Sequence, residues 1–585
     1  MRRRTFLAAL PASAFATTAL GQVVNPNLHR PDVHAGDRID GASFAVHSAA
    51  WGTHGAAATA HPLATQIAID MLRAGGSAVD AAIAANAALG FLEPVSCGVG
   101  GDCFVMLWDP RQGKVVGLNG SGRSPRGLSL ETVRARAKNG HIPAYGAVPV
   151  SVPGAVDAWW SLHQRYGKLD WKSLFAPAIA HAQDGVPVAQ TIAYYLNASF
   201  KRFNTPGLGI EEVENFNRVW AAEGRTPREG EVFRNPALAE TYRQIALGGG
   251  RAFYEGEIAD RIDAYFRRIG GFMTKADLAA HHSEWTEPLR TDYRGVTVHG
   301  LGPNSQGLST LQLLNIAEQF DLKSMGFQSV QSIHHQVEAK RLAFEDRARY
   351  FADPQFSDVP IAWLLSKDYA RERARLVRPD RIITPVYPGQ APSQGDTTYF
   401  CTSDQDGMMV SIIQSNYRGM GSGLSPDGLG FMFQDRGELF NLQDGHPNIY
   451  APGKRPFQTI IPGFATRNGA PWMAFGVMGG DMQPQGQAQI IINMVDYGLD
   501  LQAAGDSPRW HHEGSSEPTG EPQQGVGLLR VESGIPEATK KGLAALGWKL
   551  GDSDGGFGGY QAIERWPGRY AAATEMRKDG VALAY

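Results

Sequence analysis

Two adjacent threonines, Thr397 and Thr398, follow a polar Pro- and Gly-rich stretch from Pro385 to Gly395 and lead into Tyr399-Phe400-Cys401. Inside a chain a threonine hydroxyl is a poor nucleophile, because no base stands beside it. Cleavage of the Asp396–Thr397 bond would change that. Thr397 would gain a free α-amine, whose ordinary pKa of about 7.7–8.0 lets it take the proton of its own hydroxyl near neutral pH. One cut would create nucleophile and base together, and the chemistry expected is attack on an amide carbonyl. The plainer alternative is that Thr397-Thr398 opens a β-strand, where β-branched residues are common.

Whatever holds Thr397 must be read from the flanking patterns. From His61, Leu63, Ile67, Ile69 and Leu72 recur at helical spacing, and Gly75-Gly76 ends that run. Ser77, with Asp80 three residues on, fits a capped helix start, and Ala78–Leu89 is so rich in Ala, Ile and Leu that the helix must be buried. After the Gly98–Gly101 turn, Phe104–Trp108 is a continuous apolar strand of the kind covered on both faces. Helices are expected to fill 155–350, near Ala155–Tyr166, Leu174–Asp184, Ala237–Leu247 and Val330–Tyr350. Beyond Thr397 the character turns to strands. Tyr399–Ser403 and Met408–Gln414 flank the Asp404–Gly407 turn as a hairpin, and strands follow near Gly430–Phe433, Trp472–Val477, Gly527–Val531 and Gln561–Arg565, with a helix at Gln487–Tyr497. Strands covered on both faces, with helices in separate blocks, predict an α+β fold: a four-layer αββα sandwich that the 397 boundary cuts through.

The 585-residue chain has 19% charged residues and a net charge of −3, a balance that does not point to nucleic acid or an anionic membrane as partner. Arg2-Arg3-Arg4-Thr5-Phe6-Leu7 and the short apolar run to Leu20 fit an export signal, of twin-arginine type, over residues 1–26. The expected location is periplasmic or secreted, and no segment is apolar enough for a membrane span. Cys97, Cys103 and Cys401 are too few for a disulfide scaffold; the first two could pair across the Gly-rich loop, or all three could be packing residues. The His281-His282, His334-His335 and His511-His512 pairs lack partners at metal-ligand spacing and read as surface or structural.

Several blocks, in order, resemble the γ-glutamyltranspeptidase family of N-terminal-nucleophile hydrolases. They include His61-Pro62-Leu63-Ala64, Ala74–Ala82, Gly98-Val99-Gly100-Gly101, Val152-Pro153-Gly154, Ala252–Gly256 and the Lys340–Arg347 helix. Past the boundary come Thr397-Thr398, Lys454-Arg455-Pro456, Gly479-Gly480 and Asp496–Leu499. The resemblance implies a precursor that cuts itself between Asp396 and Thr397 into a large subunit, 27–396, and a small one, 397–585. It implies Thr397 as nucleophile, Ser415 as a supporting hydroxyl, and the N–H groups at Gly479 and Gly480 as the oxyanion hole. Ser121, Arg123, Asn416, Tyr417, Arg436, Glu438, Leu439, Gln458 and Thr459 fall at or beside the family's substrate-binding positions. No metal or organic cofactor is implied.

The departures bear on substrate. Ser121 stands where the family places an Arg for the glutamyl α-carboxylate, with Arg123 two residues later. Leu439 stands where the family places an Asp for the α-amine, with Glu438 adjacent. Gln458-Thr459 replaces a Ser-Ser pair, and Tyr399 replaces a His. Only Ala451-Pro452-Gly453 separates Tyr450 from Lys454, so the lid of many members is absent and an open site is expected. Leaving a buried ammonium or carboxylate unpaired costs several kcal/mol, which argues against tight recognition of a glutamyl head group, although Arg123 or Arg436 could hold a lone carboxylate. The expected activity is hydrolysis or transfer of a γ-glutamyl or related acyl group through an acyl-enzyme. Its alternative is a non-glutamyl acylase or amidohydrolase of the glutaryl-cephalosporin or small-amide type. Rivals of other classes are a silent binding protein on the same fold and a metallo-amidase.

Overall fold

Local signals set the first elements. His61 caps the Pro62–Arg73 helix, its side chain accepting from the Leu63 N–H, and Gly75 at φ +89° follows its end. Ser77 and Asp80 form the capping box, and the Ala78–Leu92 helix is buried along its whole length. Gly101 then has no room for a side chain. A Cβ there would lie 2.5 Å from Asn416 Oδ1, Gln414 Nε2 and the Ser415 carbonyl. The Asp102–Asp109 strand follows, buried on both faces.

The computed structural model describes residues 47–387, 396–553 and 555–585, with the backbone of a small hairpin, Val33–His34 and Asp37–Arg38. The expected export segment, 1–26, and linker residues 388–395 lie outside the described residues.

Two seven-stranded antiparallel sheets form the middle layers. One runs Val581–Ala584, Ala56–Thr59, Asp396–Ser403, Met409–Tyr417, Asp102–Asp109, Lys114–Gly120, Glu284–Thr286. The other runs Leu289–Tyr293, Val296–Gly300, Gly463–Arg467, Ala470–Val477, Tyr560–Trp566, Arg569–Thr574, Ala50–Gly52. Tyr399, Cys401, Phe104 and Ile413 of the first meet Phe464, Ala474, Ile563 and Ala572 of the second between the sheets. The Ala78–Leu92, Ala155–Tyr166 and Trp171–Asp184 helices cover the outer face of the first, over Val105, Leu107, Phe400 and Val410. The Gly307–Ala317, Val330–Tyr350 and Met482–Val495 helices cover the second, over Ala465, Phe475, Ala562 and Ala573. This is the expected α+β order of helix, sheet, sheet and helix.

Some expectations are corrected. The block 155–350 is not wholly helical: Glu284–Thr286, Leu289–Tyr293 and Val296–Gly300 supply edge and near-edge strands to both sheets. Gly430–Phe433 is no strand. The Phe431 and Phe433 carbonyls accept from Ser425 and Ser422 hydroxyls, and the Gly430 carbonyl from Asn235, so the segment is satisfied without a ladder. The His pairs stay within the surface-or-structural reading: His282 is exposed, while His334, His335, His511 and His512 are buried, and burial pulls their pKa values down, to about 4 for His511. Cys97, Cys103 and Cys401 are buried and unbridged. Among the described residues no helix is long and apolar enough to cross a membrane.

Candidate active site

The Asp396–Ser403 strand pairs with Met409–Tyr417, and the register slips between Asp396 and Thr398. Asp396 lies across from Tyr417 and Thr398 across from Gln414, so two residues, Ser415 and Asn416, stand opposite Thr397 alone. Such a bulge interrupts the ladder and re-aims what it carries. Tyr417 adds a positive φ of 78°, a true outlier for a bulky side chain. The expected cleavage point therefore coincides with the irregular end of an otherwise regular pairing. The side chains of Asp396 and Thr397 lie outside the described residues. Thr398 Oγ1 donates to Glu93 Oε2 at 2.8 Å. Ser415 is fully buried, across from Asp102, and its Oγ accepts from the Tyr417 N–H at 2.8 Å.

The Ala470–Val477 strand faces the Asp396–Ser403 strand closely: a Cβ on Gly476 would fall 2.4 Å from the Tyr399 ring. It leads through Met478 to Gly479 and Gly480, at φ +104° and +57°, and the Met482–Val495 helix starts directly after. Only glycine takes up such angles without strain. The first N–H groups of a helix lack intrahelical partners, so this strand-to-helix turn can present donors to a developing oxyanion. Gln306 fixes the turn. Its Nε2 donates to the Gly480 carbonyl at 3.0 Å and to the Thr459 carbonyl at 2.6 Å, while its Oε1 accepts from Arg347. Fully buried Arg347 pairs in turn with Asp481 at 3.1 Å and with Glu517.

Thr459 connects this turn to Arg436, whose Nη1 donates to Thr459 Oγ1 at 2.7 Å. Arg436 is fully buried and its guanidinium sits 4.7 Å above the Tyr417 ring. Its Nε and Nη2 have no hydrogen-bond partner among the described residues. Burial pulls its pKa to about 10, against the nearby Asp102, Tyr417 and Asp435. Asp102 accepts from the Gly122 N–H at 2.9 Å and from Gln458 Nε2 at 2.7 Å. Burial still pushes its carboxyl up to about 6, and that of Asp435 up to about 7, in spite of their Arg neighbours.

Ser415, Tyr417, Gly480, Arg436, Gln458 and Thr459 thus belong to one connected set. Ser121 joins it through Asn304, whose Nδ2 donates to Ser121 Oγ at 3.2 Å and whose carbonyl accepts from the Gln458 N–H. Arg123 stands apart, bonded to Glu284, Gln355, Asp353 and the Gly453 carbonyl. Glu438 is bonded to Arg418 at 2.7 Å. Asn416 donates its N–H to the Ser96 carbonyl, and its Oδ1 has no partner among the described residues. Leu439 is fully buried among Leu308, Phe351, Tyr417 and Phe457.

The Tyr450–Lys454 connection is a short turn through Gly453 at φ +73°, and Arg436, Leu439, Gln458 and Thr459 are all buried. Asp102, Asn304, Gln306 and Arg347 are the set's unforeseen members. Asp102 gave a signal, as an acid opening an apolar strand; Gln306 gave none. Among the described residues no three His, Cys, Asp or Glu side chains gather to hold a metal ion.

Comparison with known proteins places the chain by family and fold. The gamma-glutamyltranspeptidase family profile matches residues 64–585. The chain is 34% identical over 538 residues to the glutathione hydrolase-like YwrD proenzyme of Bacillus subtilis, covering 91% of this chain and 98% of that one. It is 34% identical over 553 residues to the oxamate amidohydrolase proenzyme of Klebsiella pneumoniae, covering 92% and 100%. The crystal structure of cephalosporin acylase from Bacillus halodurans superposes with a TM-score of 0.85 at 42% identity, over 92% of this chain and 97% of that one. A profile match over nearly the whole chain, on an N-terminal-nucleophile hydrolase fold, means that this protein belongs to the gamma-glutamyltranspeptidase family of amide-bond hydrolases and transferases.

Proposed function

We propose that this chain is an exported amidohydrolase that cuts itself before Thr397 and then hydrolyses amides whose acyl part carries one carboxylate and no α-amine. The observation carrying the acyl assignment is the contrast between Leu439 and Arg436. Leu439 sits in an apolar cluster, so no carboxylate at that position meets an ammonium, and the neighbouring Glu438 is already bonded to Arg418. Arg436 keeps two buried N–H-bearing nitrogens without partners among the described residues, a demand that a carboxylate meets in fork-to-fork fashion.

In the proposed cycle the Thr397 α-amine takes the hydroxyl proton as Oγ attacks the amide carbon. The Gly479 and Gly480 turn stabilises the oxyanion; losing one such donor typically costs about 10²–10³ in rate. The C–N bond breaks as the proton passes to the leaving amine. Water, activated by the same α-amine, then hydrolyses the Thr397 ester and frees the acid. The two products of self-cleavage, large and small, stay together as one enzyme. The basic, apolar N-terminus supports export to the periplasm or beyond.

The test joins two measurements. The mass of the smaller fragment should begin at Thr397, and Thr397→Ala should remain one inactive chain. The mature enzyme should hydrolyse a glutaryl anilide at least as well as the γ-glutamyl anilide, which differs only by the α-amine. A γ-glutamyl preference of about 100-fold, roughly 2.7 kcal/mol, would defeat the acyl assignment.

A further inference from the structure

A cleft of about 480 Å³ opens beside Gly479. Its lining includes that glycine but none of Ser121, Arg436, Leu439, Gln458 or Thr459. If the acyl group lies on the Arg436 side of the Gly479–Gly480 turn, the amine half of the substrate has this cleft to occupy. Its wall holds four cations, Arg202, Arg418, Arg577 and Lys578, two of which face aromatic rings across the cleft. Arg202, on the Gln190–Phe203 helix, stands 5.7 Å from the Tyr145 ring, and Lys578 stands 5.3 Å from the Tyr195 ring.

The cations of this wall are not equivalent. Arg418 is paired with Glu438 and Asp435, and Arg577 with Glu532 and Glu575. Among the described residues Arg202 bonds only neutral groups, the Gly419 carbonyl at 2.5 Å and Ser199 Oγ at 3.2 Å. Its Nε is buried without a partner among the described residues. A guanidinium with no acidic partner among the described residues, set beside the Tyr145 and Phe203 rings, is complementary to a planar anion, which it can meet with paired N–H donors.

We infer that the cleft receives the leaving amine and selects amines bearing a carboxylate, with Arg202 as the anchor and Tyr145 and Tyr195 flanking the ring or chain. This rests on the amidohydrolase reading above, and a direct binding measurement separates the two. Calorimetric titration of the purified wild-type protein compares 5-amino-2-nitrobenzoate with neutral 4-nitroaniline, and kinetics compare the glutaryl anilides of the same two amines. The carboxylated amine should bind about 10-fold tighter, its anilide should have a kcat/KM about 10-fold higher, and both preferences should shrink as salt is raised. Arg202→Gln should collapse both ratios toward one, whereas Arg202→Lys, which keeps the charge, should retain part of each. Equal binding of the two amines by the wild type, or a preference undiminished in Arg202→Gln, overturns the inference. A binding preference without hydrolysis of either anilide would keep the anion site and remove the amidohydrolase reading instead.

Discussion

Arg436 concentrates the specificity argument in one side chain. Its guanidinium is stacked on Tyr417 and tied by one nitrogen to Thr459, so it has a fixed direction before any ligand arrives. Truncating one partner of a buried charged hydrogen-bonded pair typically costs about 2–5 kcal/mol. Arg436→Gln should therefore weaken kcat/KM for a carboxylate-bearing acyl amide by roughly 30-fold or more, and do so far less for an acetyl or propionyl amide. Equal losses on both substrates would show that Arg436 only supports Tyr417. Asp102 sets how much of that charge is left uncompensated. Its carboxyl titrates near 3.9 in an unfolded chain and about 6 when buried here. Between those values the native state holds the additional proton, so the contribution of Asp102 to stability falls as pH rises through that window, by up to about 1.36 kcal/mol per pH unit. Asp102→Asn should flatten this part of the stability profile, read as the guanidinium midpoint from pH 4 to 6.5. The same variant should remove a rise in KM for carboxylate-bearing substrates above pH 6, where ionised Asp102 offsets Arg436.

At the scale of elements, the proposed oxyanion hole is the strand-to-helix turn at Gly479 and Gly480, which the Gln306 side chain pins. Gln306→Glu keeps an acceptor for Arg347 but removes the donor to the Gly480 and Thr459 carbonyls. We expect kcat to fall about 10-fold, roughly 1.4 kcal/mol, with KM nearly unmoved; a change confined to KM would assign Gln306 to substrate binding. Such a residue is invisible in a single sequence, because its role depends on three segments far apart in the chain. What was legible obeys local rules. The capping box at Ser77 and Asp80, the wholly buried Ala78–Leu92 helix and the hairpin around Asp404–Gly407 all follow from short-range pattern and turn chemistry. Gly430–Phe433 misled because its aromatic, strand-like composition reflects packing against the Tyr265 and Phe266 helix rather than a ladder. The edge strand Leu289–Tyr293, which carries Arg290 and Asp292 as edges commonly do, and its five-residue neighbour Val296–Gly300 were missed inside a block otherwise read as helical. Of the site, the residues on the 396–417 hairpin and the glycine turn could be named from the sequence. The stacking of Arg436 on Tyr417 could not, because it depends on a positive φ and on a contact between separate segments.

For the molecule as a whole, the proposed cut before residue 397 would divide the chain but not the body. In the first sheet the Asp396–Ser403 strand lies between Ala56–Thr59 and Met409–Tyr417, and the latter lies against Asp102–Asp109. The C-terminal Val581–Ala584 strand closes the other side of Ala56–Thr59. In the second sheet, Val296–Gly300 pairs with Gly463–Arg467, and Ala50–Gly52 with Arg569–Thr574. Five strand junctions thus join residues before the boundary to residues after it. The helices over both outer faces come largely from the earlier part and bury strands of the later one. Two chains sharing cores on this scale resemble an obligate complex, in which neither partner keeps its fold alone. Cleavage at Asp396–Thr397 should therefore leave a single particle in native gel filtration, with two bands appearing only on a denaturing gel. In a urea series the fragments should part at the same concentration at which tryptophan fluorescence reports unfolding, because separating them means opening both sheets. Fragments that part in native buffer, or well before the fluorescence changes, would mean that the two portions fold as independent domains and that the interleaved sheets do not hold the cut enzyme together.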